Sequence, residues 1–156
     1  MFGITLALDP GITTGRALAR IEDDKLLVSC HDAIWSHRMC FDFIEKLKPR
    51  HLVVETFEYR NETRDNLELF SREIIGVAAL TSQLWPMEII YYPQSAAQGK
   101  GFYSDQKLKS LGIHDERSVH RRDALRHLLH WWTFGAGYQF NQKQKIVLVG
   151  ENELLK

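Results

Sequence analysis

Asp9 and Glu55 are the residues of this chain whose placement points most directly to chemistry. Asp9 ends the apolar run Ile4-Thr5-Leu6-Ala7-Leu8 and is followed at once by Pro10-Gly11 and then by Gly15. A run of that length and type reads as a buried strand, and Pro-Gly ends it abruptly. An acid fixed where a buried strand stops, with glycines keeping the next turn small, suits a metal ion or a phosphate approaching the backbone. Leu52-Val53-Val54-Glu55 repeats the arrangement. Two carboxylates on strand ends suggest a polynuclear metal site. The plainer account of either acid alone is a turn residue, a setting where Asp is common.

A third contribution comes from a helix expected between about Val119 and Thr133. At about 100° per residue, Ala124, Leu125, Leu128, Leu129 and Trp132 share one apolar face, and His120, Asp123, His127 and His130 form a stripe beside it. Asp123 alone could be an acid favoured by the positive end of the helix dipole. His120 lies on the same side one turn earlier, a spacing that lets both side chains reach one ion.

The elements that must position these groups are legible from patterning. Strands are expected from Gly3 to Leu8, Arg16 to Ile21 and Lys25 to His31, with Asp23-Asp24 as the turn between the last two. Met39, Phe41, Phe43, Ile44 and Leu47 predict a helix from His37 to Lys48, stopped by Pro49. After the strand ending at Glu55, a long helix from Thr63 to Leu84 carries Leu67, Phe70, Ile74, Val77, Ala78 and Thr81 at helical spacing. Glu88 to Tyr92 gives a fifth strand. A loop with a short helical stretch follows, in which the two glycines of Gln98 to Ser104 mark the best candidate for a mobile loop. This order implies an α/β protein with a mixed five-stranded sheet and helices on both faces.

The chain has 156 residues and a mass of 18.2 kDa, enough for one ordinary domain with a proper core. The expected division is 1–134 as the main body and 135–156 as an extension of the same domain, with a strand at Lys145 to Val149. Net charge is zero, but from Pro93 to His127 seven basic residues face four acids. A basic patch beside clustered acids is the layout of a metal-dependent nuclease, with random surface charge as the alternative. Phe57 and Tyr59 follow Glu55, with Arg60 and Arg64 close behind. Such a segment could stack on unpaired bases while its arginines meet phosphates, or its aromatics could belong to a core or a dimer interface. No apolar stretch reaches the ~18 residues of a membrane span. The N-terminus lacks the basic region of a signal peptide, and two cysteines fit a reducing compartment, so a cytoplasmic protein is expected. Cys30, His31, His37 and Cys40 lack the paired spacing of a zinc site.

Taken together, these motifs resemble those of RuvC-like Holliday junction resolvases, members of the RNase H-like superfamily, and most of all the compact versions carried by bacteriophages. Leu6-Ala7-Leu8-Asp9-Pro10-Gly11 with Gly15 is similar to the first-strand motif, and Val53-Val54-Glu55 to the fourth-strand acid. Ile75-Gly76-Val77-Ala78 resembles the small-residue turn of the long helix. Pro93 before a lysine-bearing loop, and His120-Arg121-Arg122-Asp123-Ala124-Leu125, complete the set in family order. The resemblance spans Ile4 to Thr133.

The resemblance implies an RNase H-like fold and an endonuclease that cuts four-way or otherwise branched DNA as a homodimer, in a bacterial cell or a phage-infected host. It implies two Mg²⁺ ions per site, with Mn²⁺ as a substitute. Asp9 would bridge them, Glu55 and Asp123 would each hold one, and His120 would ligate metal or bond the nucleophilic water. Many relatives carry a fourth carboxylate where this chain has His120. Lys100 and Lys107 fall where the family places phosphate-contacting lysines, and Arg121 joins them as a DNA contact. Two other readings compete. One is a non-catalytic branched-DNA binder on the same fold. The other is a nucleotide-binding module, because Asp9 to Gly15 also resembles the phosphate loop of actin-like and sugar-kinase ATPases.

Overall fold

Alternation along the first strand decides which way the functional groups face. The structure, a computed structural model, describes residues 3–56, 66–137 and 145–156. In β1 (Thr5–Asp9) Leu6 and Leu8 point into one hydrophobic core, and Ala7 points into the other. Side chains two apart share a face, so Asp9 lies on the side of Ala7. In β4 (His51–Thr56), Leu52 and Val54 join the first core and Val53 the second, which puts Glu55 on the Val53 side. The two strands run parallel with Ala7 opposite Val53 and Leu8 opposite Val54. One step further along, the two acids are neighbours at the same end of the sheet, on adjacent interior strands. Burial on both faces is why these strands read as continuous apolar runs.

The full sheet has six strands in the order β5-β4-β1-β2-β3-β6, one more than the five expected. Antiparallel β2 (Thr13–Glu22) and β3 (Lys25–Ile34) follow β1 as a meander. Their turn, Asp23-Asp24, holds positive φ angles of 49° and 58°, the backbone a tight two-residue hairpin requires. The sixth strand is β6 (Ile146–Leu148), inside the strand expected at Lys145 to Val149, and it joins this sheet by pairing parallel to Leu26, Leu27 and Val28 of β3. It is followed by the short helix α6 (Glu151–Leu154), whose Glu151 accepts from Arg16 Nη2 at 2.8 Å. At the other edge, β5 (Ile90–Ser95) begins later than expected and continues through Pro93. An edge strand tolerates proline because only one side needs ladder donors.

Helices α1 (His37–Leu47) and α2 (Asn66–Leu84) cover the Leu6 face through Cys40, Ile44, Ile74 and Ala78. Ser36 caps α1 by accepting from the Met39 N–H, and Lys48 closes it in the left-handed conformation. The opposite face belongs to α5 (Val119–His130), which ends three residues before the expected Thr133 and widens into a π turn over Trp131–Gly135. Beneath it the sheet is lined by Ala7, Gly15, Ala17 and Ala19. Those small side chains let α5 sit close to the strands, with Leu125, Leu128, Leu129 and Trp132 filling the core around it.

Gln98 to Ser104, the expected mobile loop, lies mostly in the helix α3 (Ala96–Phe102) and ends at the cap of a second short helix, α4 (Asp105–Ser110), where one short helical stretch was expected. Gln98 Oε1 accepts from the Ser95 N–H at 2.7 Å, and Ser104 caps α4. Gly99 serves close packing, since a Cβ there would meet the His127 ring and backbone at 3.0–3.1 Å. The two cysteines are buried in separate cores on opposite faces of the sheet, which settles the zinc question against a shared site.

Candidate functional site

Three elements deliver carboxylates to one place: the end of β1 (Asp9), the end of β4 (Glu55) and the second turn of α5 (Asp123). All three are buried, at 7, 5 and 5% exposure. Each acid has a basic partner. His120 Nδ1 lies 2.9 Å from Asp9 Oδ2. His127 Nε2 lies 2.9 Å from Glu55 Oε2. Lys100, on α3, places its Nζ 3.0 Å from Asp123 Oδ2 and 3.5 Å from Glu55 Oε1. Arg126 also pairs with Asp123, and with Asp105 outside the site.

Placement of α5 over Asp9 depends on Gly15. It stands opposite Asp9 in the β1–β2 register, and the His120 backbone rests directly on it. One turn separates His120 from Asp123, and another brings His127 over Glu55. A single helix therefore addresses both strand acids. The Asp123 side chain is neither a capping acid nor a surface residue: Ser118 is the N-cap position and Asp123 lies inside the helix, buried.

The electrostatics differ between the two strand acids. Burial, followed by the charge of Glu55, pushes the Asp9 carboxyl up from 3.8 to about 7, while the hydrogen bond from His120 pulls the other way. Burial acts on Glu55 in the same sense, but the bond and charge of His127 together with Lys100 outweigh it and hold Glu55 below the usual carboxylate range. Lys100 is desolvated, yet its bond to Asp123 and the charges of Glu55 and Asp123 raise its pKa. Glu55 is the acid kept ionised, and Asp9 is the one that titrates near neutrality.

The remaining expected site residues divide. Phe57, Tyr59, Arg60 and Arg64 lie outside the described residues. Lys107, on α4, sits over the Phe102 ring at 3.5 Å from its centroid. Arg121 is turned away from the acids. Its Nε donates to Asp32 at 2.8 Å and its Nη1 lies 3.7 Å from Asp115, so its charge is matched inside the protein. Asp115 in turn accepts from Arg117 and from the Cys30 thiol, anchoring the segment before α5 to β3. His120 and Asp123 were expected to address one ion; here His120 turns to Asp9 and Asp123 to Lys100. His127 and Gln94 were not expected at the site. The His120–Asp123–His127 spacing was the available signal for His127, but patterning does not say which stripe residues turn inward. Among the described residues, no three His, Cys, Asp or Glu side chains stand at the spacing of a ready metal-ligand set.

No family model and no curated protein sequence matches this chain; its likeness to known proteins is in three dimensions. It superposes on Thermus thermophilus RuvC in complex with a Holliday junction substrate with a TM-score of 0.65 at 17% identity, covering 86% of this chain and 96% of that one. A second Thermus thermophilus RuvC structure gives 0.62 at 18% identity, with the same coverage. The yeast mitochondrial Holliday junction resolvase Ydc2 gives 0.60 at 13% identity, covering 89% and 81%. The chain therefore has the RuvC-type, RNase H-like α/β fold, built here on six strands.

Proposed function

We propose that this protein is a divalent-metal-dependent endonuclease that cuts phosphodiester bonds in four-way or otherwise branched DNA. The observation that carries the reading is the convergence of Asp9, Glu55 and Asp123 from two adjacent strand ends and one crossing helix, on a fold shared with resolvases. The donor set suits a hard cation, being made of carboxylate oxygens. Burial first, and then the charges of Glu55 and Asp123, raise the Asp9 pKa, and a cation bound there would offset both. Asp9, Glu55 and Asp123 would hold two Mg²⁺ or Mn²⁺ ions, which supply an activated water and stabilise the leaving oxygen.

The chain's own residues do the rest. His120, with its ring half exposed and bonded to Asp9, can pass a proton between the site and solvent. Lys100 reaches the acids from α3 with its side chain partly exposed, where it can meet the scissile phosphate. Lys107 and the segment of Phe57, Tyr59, Arg60 and Arg64 would extend the contact along the DNA. A homodimer is supported by the outer face of α2 and the turn after it, where Leu69, Leu80, Leu84 and Met87 are all more than half exposed.

The test compares a synthetic four-way junction with a linear duplex of the same sequence, with Mg²⁺ or with EDTA. Selective, Mg²⁺-dependent cutting that disappears in Asp9→Asn is the expected result. Junction binding without cutting would establish the non-catalytic reading instead. Cutting that persists in EDTA would remove the metal from the account. Salt should weaken binding with a slope of about −0.9 per duplex phosphate neutralised, and Lys107→Ala should reduce that slope by up to about one.

A further inference from the structure

His127 is a buried group for which this mechanism has no use. It is fully inaccessible, lies on the inner face of α5, and has both ring nitrogens engaged. Nε2 meets Glu55 Oε2 at 2.9 Å, and Nδ1 meets Gln94 Oε1 at 2.8 Å, so each ring nitrogen faces an oxygen acceptor. Gln94 stands directly opposite Glu55 in the β4–β5 register, so ring and amide span neighbouring strands. The far side of the ring is closed by Gly99 of α3, where any side chain would collide with it. A fully buried imidazole held from three sides has one orientation.

We propose that His127 is a positioning residue that fixes the Glu55 carboxylate in the orientation its role requires, with Gln94 fixing His127 in turn. The inference rests on the nuclease reading above. An ionised carboxylate can only accept, so the Nε2–H of His127 donates to Glu55. That bond occupies Oε2, while the ammonium of Lys100 approaches Oε1. The carboxylate cannot rotate without breaking a bond inside a closed core. Groups behind a metal-binding carboxylate typically contribute 10–100-fold in metal affinity or activity. Here that group comes from the same helix as Asp123, so one rigid element supplies both a carboxylate of the site and the support of another.

Two near-isosteric variants separate this role from mere packing. In His127→Gln the side-chain amide can reach the place of Nε2 and still donate to Glu55. In His127→Asn the amide reaches only the place of Nδ1 and loses Glu55. Three measurements are made on each folded variant: Mn²⁺ affinity by calorimetry without DNA, kcat and KM on a four-way junction, and the thermal midpoint. The expected result is that His127→Asn loses about 10–100-fold in Mn²⁺ affinity and kcat with KM for the junction unchanged, and that His127→Gln recovers most of both. Equal losses in the two variants, tracking the thermal midpoint, would reduce His127 to a packing residue. Wild-type Mn²⁺ affinity and kcat in a folded His127→Asn would overturn the proposal outright. Should His127→Asn fail to fold, Gln94→Met tests the same chain from its outer end: lowered Mn²⁺ affinity supports it, and unchanged affinity overturns it. A wild-type protein that binds Mn²⁺ and cuts junctions keeps the nuclease reading intact under either outcome. One that does neither removes that reading, and the role of His127 with it.

Discussion

Gly15 and His120 are in backbone contact: a Cβ placed on Gly15 would lie 2.0 Å from the His120 carbonyl oxygen and 2.4 Å from its carbon. Neither atom belongs to a flexible side chain, so the helix or the strand would have to move. The glycine sets the height of α5 above the sheet, and with it the position of every group the helix brings to Asp9 and Glu55.

Gly15→Ala should therefore leave a folded protein that has lost its activity. Overpacking at one point costs about 1–3 kcal/mol, which a domain of this size can survive. A displacement of roughly 1 Å at the reacting groups is enough to reduce catalysis about 100-fold. Gly101→Ala is the matched control, because nothing lies within 4 Å of a Cβ there. It should cut at the wild-type rate. Equal activity of the two variants would show that the height of α5 does not matter.

Asp9→Asn should stabilise the metal-free protein at alkaline pH. The Asp9 carboxyl is raised from 3.8 to about 7, so the folded state holds its proton longer than the unfolded chain does. Stability then falls as pH rises through that window and stays lower above it. Asparagine carries no such charge. In EDTA, urea unfolding at pH 8 should give Asp9→Asn an advantage of about 1–3 kcal/mol, shrinking toward pH 4. A variant no more stable than wild type at pH 8 would mean that burial and neighbouring charge do not disfavour the ionised Asp9.

Lys100→Gln should bind Mn²⁺ more tightly than wild type in the absence of DNA, yet cut more slowly. The ammonium sits between Glu55 and Asp123 and competes electrostatically with an incoming cation. Removing one unit of charge at about 4 Å from a divalent ion in a watery setting changes the interaction by about 2 kcal/mol, or roughly thirty-fold in affinity. Calorimetry reads the gain and junction cleavage the loss. Weaker Mn²⁺ binding in the variant would reverse the role assigned to the lysine.

What patterning could read depended on whether a signal was local. The runs ending at Asp9 and Glu55 were visible because strands buried on both faces are continuously apolar, and α1 because its apolar face and caps are contiguous. Pro93 misled because its effect depends on whether a strand lies at the edge, which is a property of the sheet. The glycines from Gln98 to Ser104 misled for a related reason. Gly99 is small because a helix must approach His127, and a requirement for space looks the same in sequence as a requirement for flexibility. The lysine bridging Glu55 and Asp123 and the histidine behind Glu55 were both in view as residue types. Their partners come from elements far apart in the chain, and no spacing within one segment encodes that meeting.

The order in which the site residues leave the ribosome follows from the topology. Asp9 and Glu55 belong to strands made early, and β1 to β3 is a meander of neighbouring strands that needs no later segment to pair. Lys100, His120, Asp123 and His127 come later, and they reach the acids only when α3 and α5 settle over Gly15 and each other. A nascent chain thus carries two crowded acids and no means of using them. If the chain is the nuclease proposed above, competence to cut would arrive only late in folding, with the docking of α3 and α5.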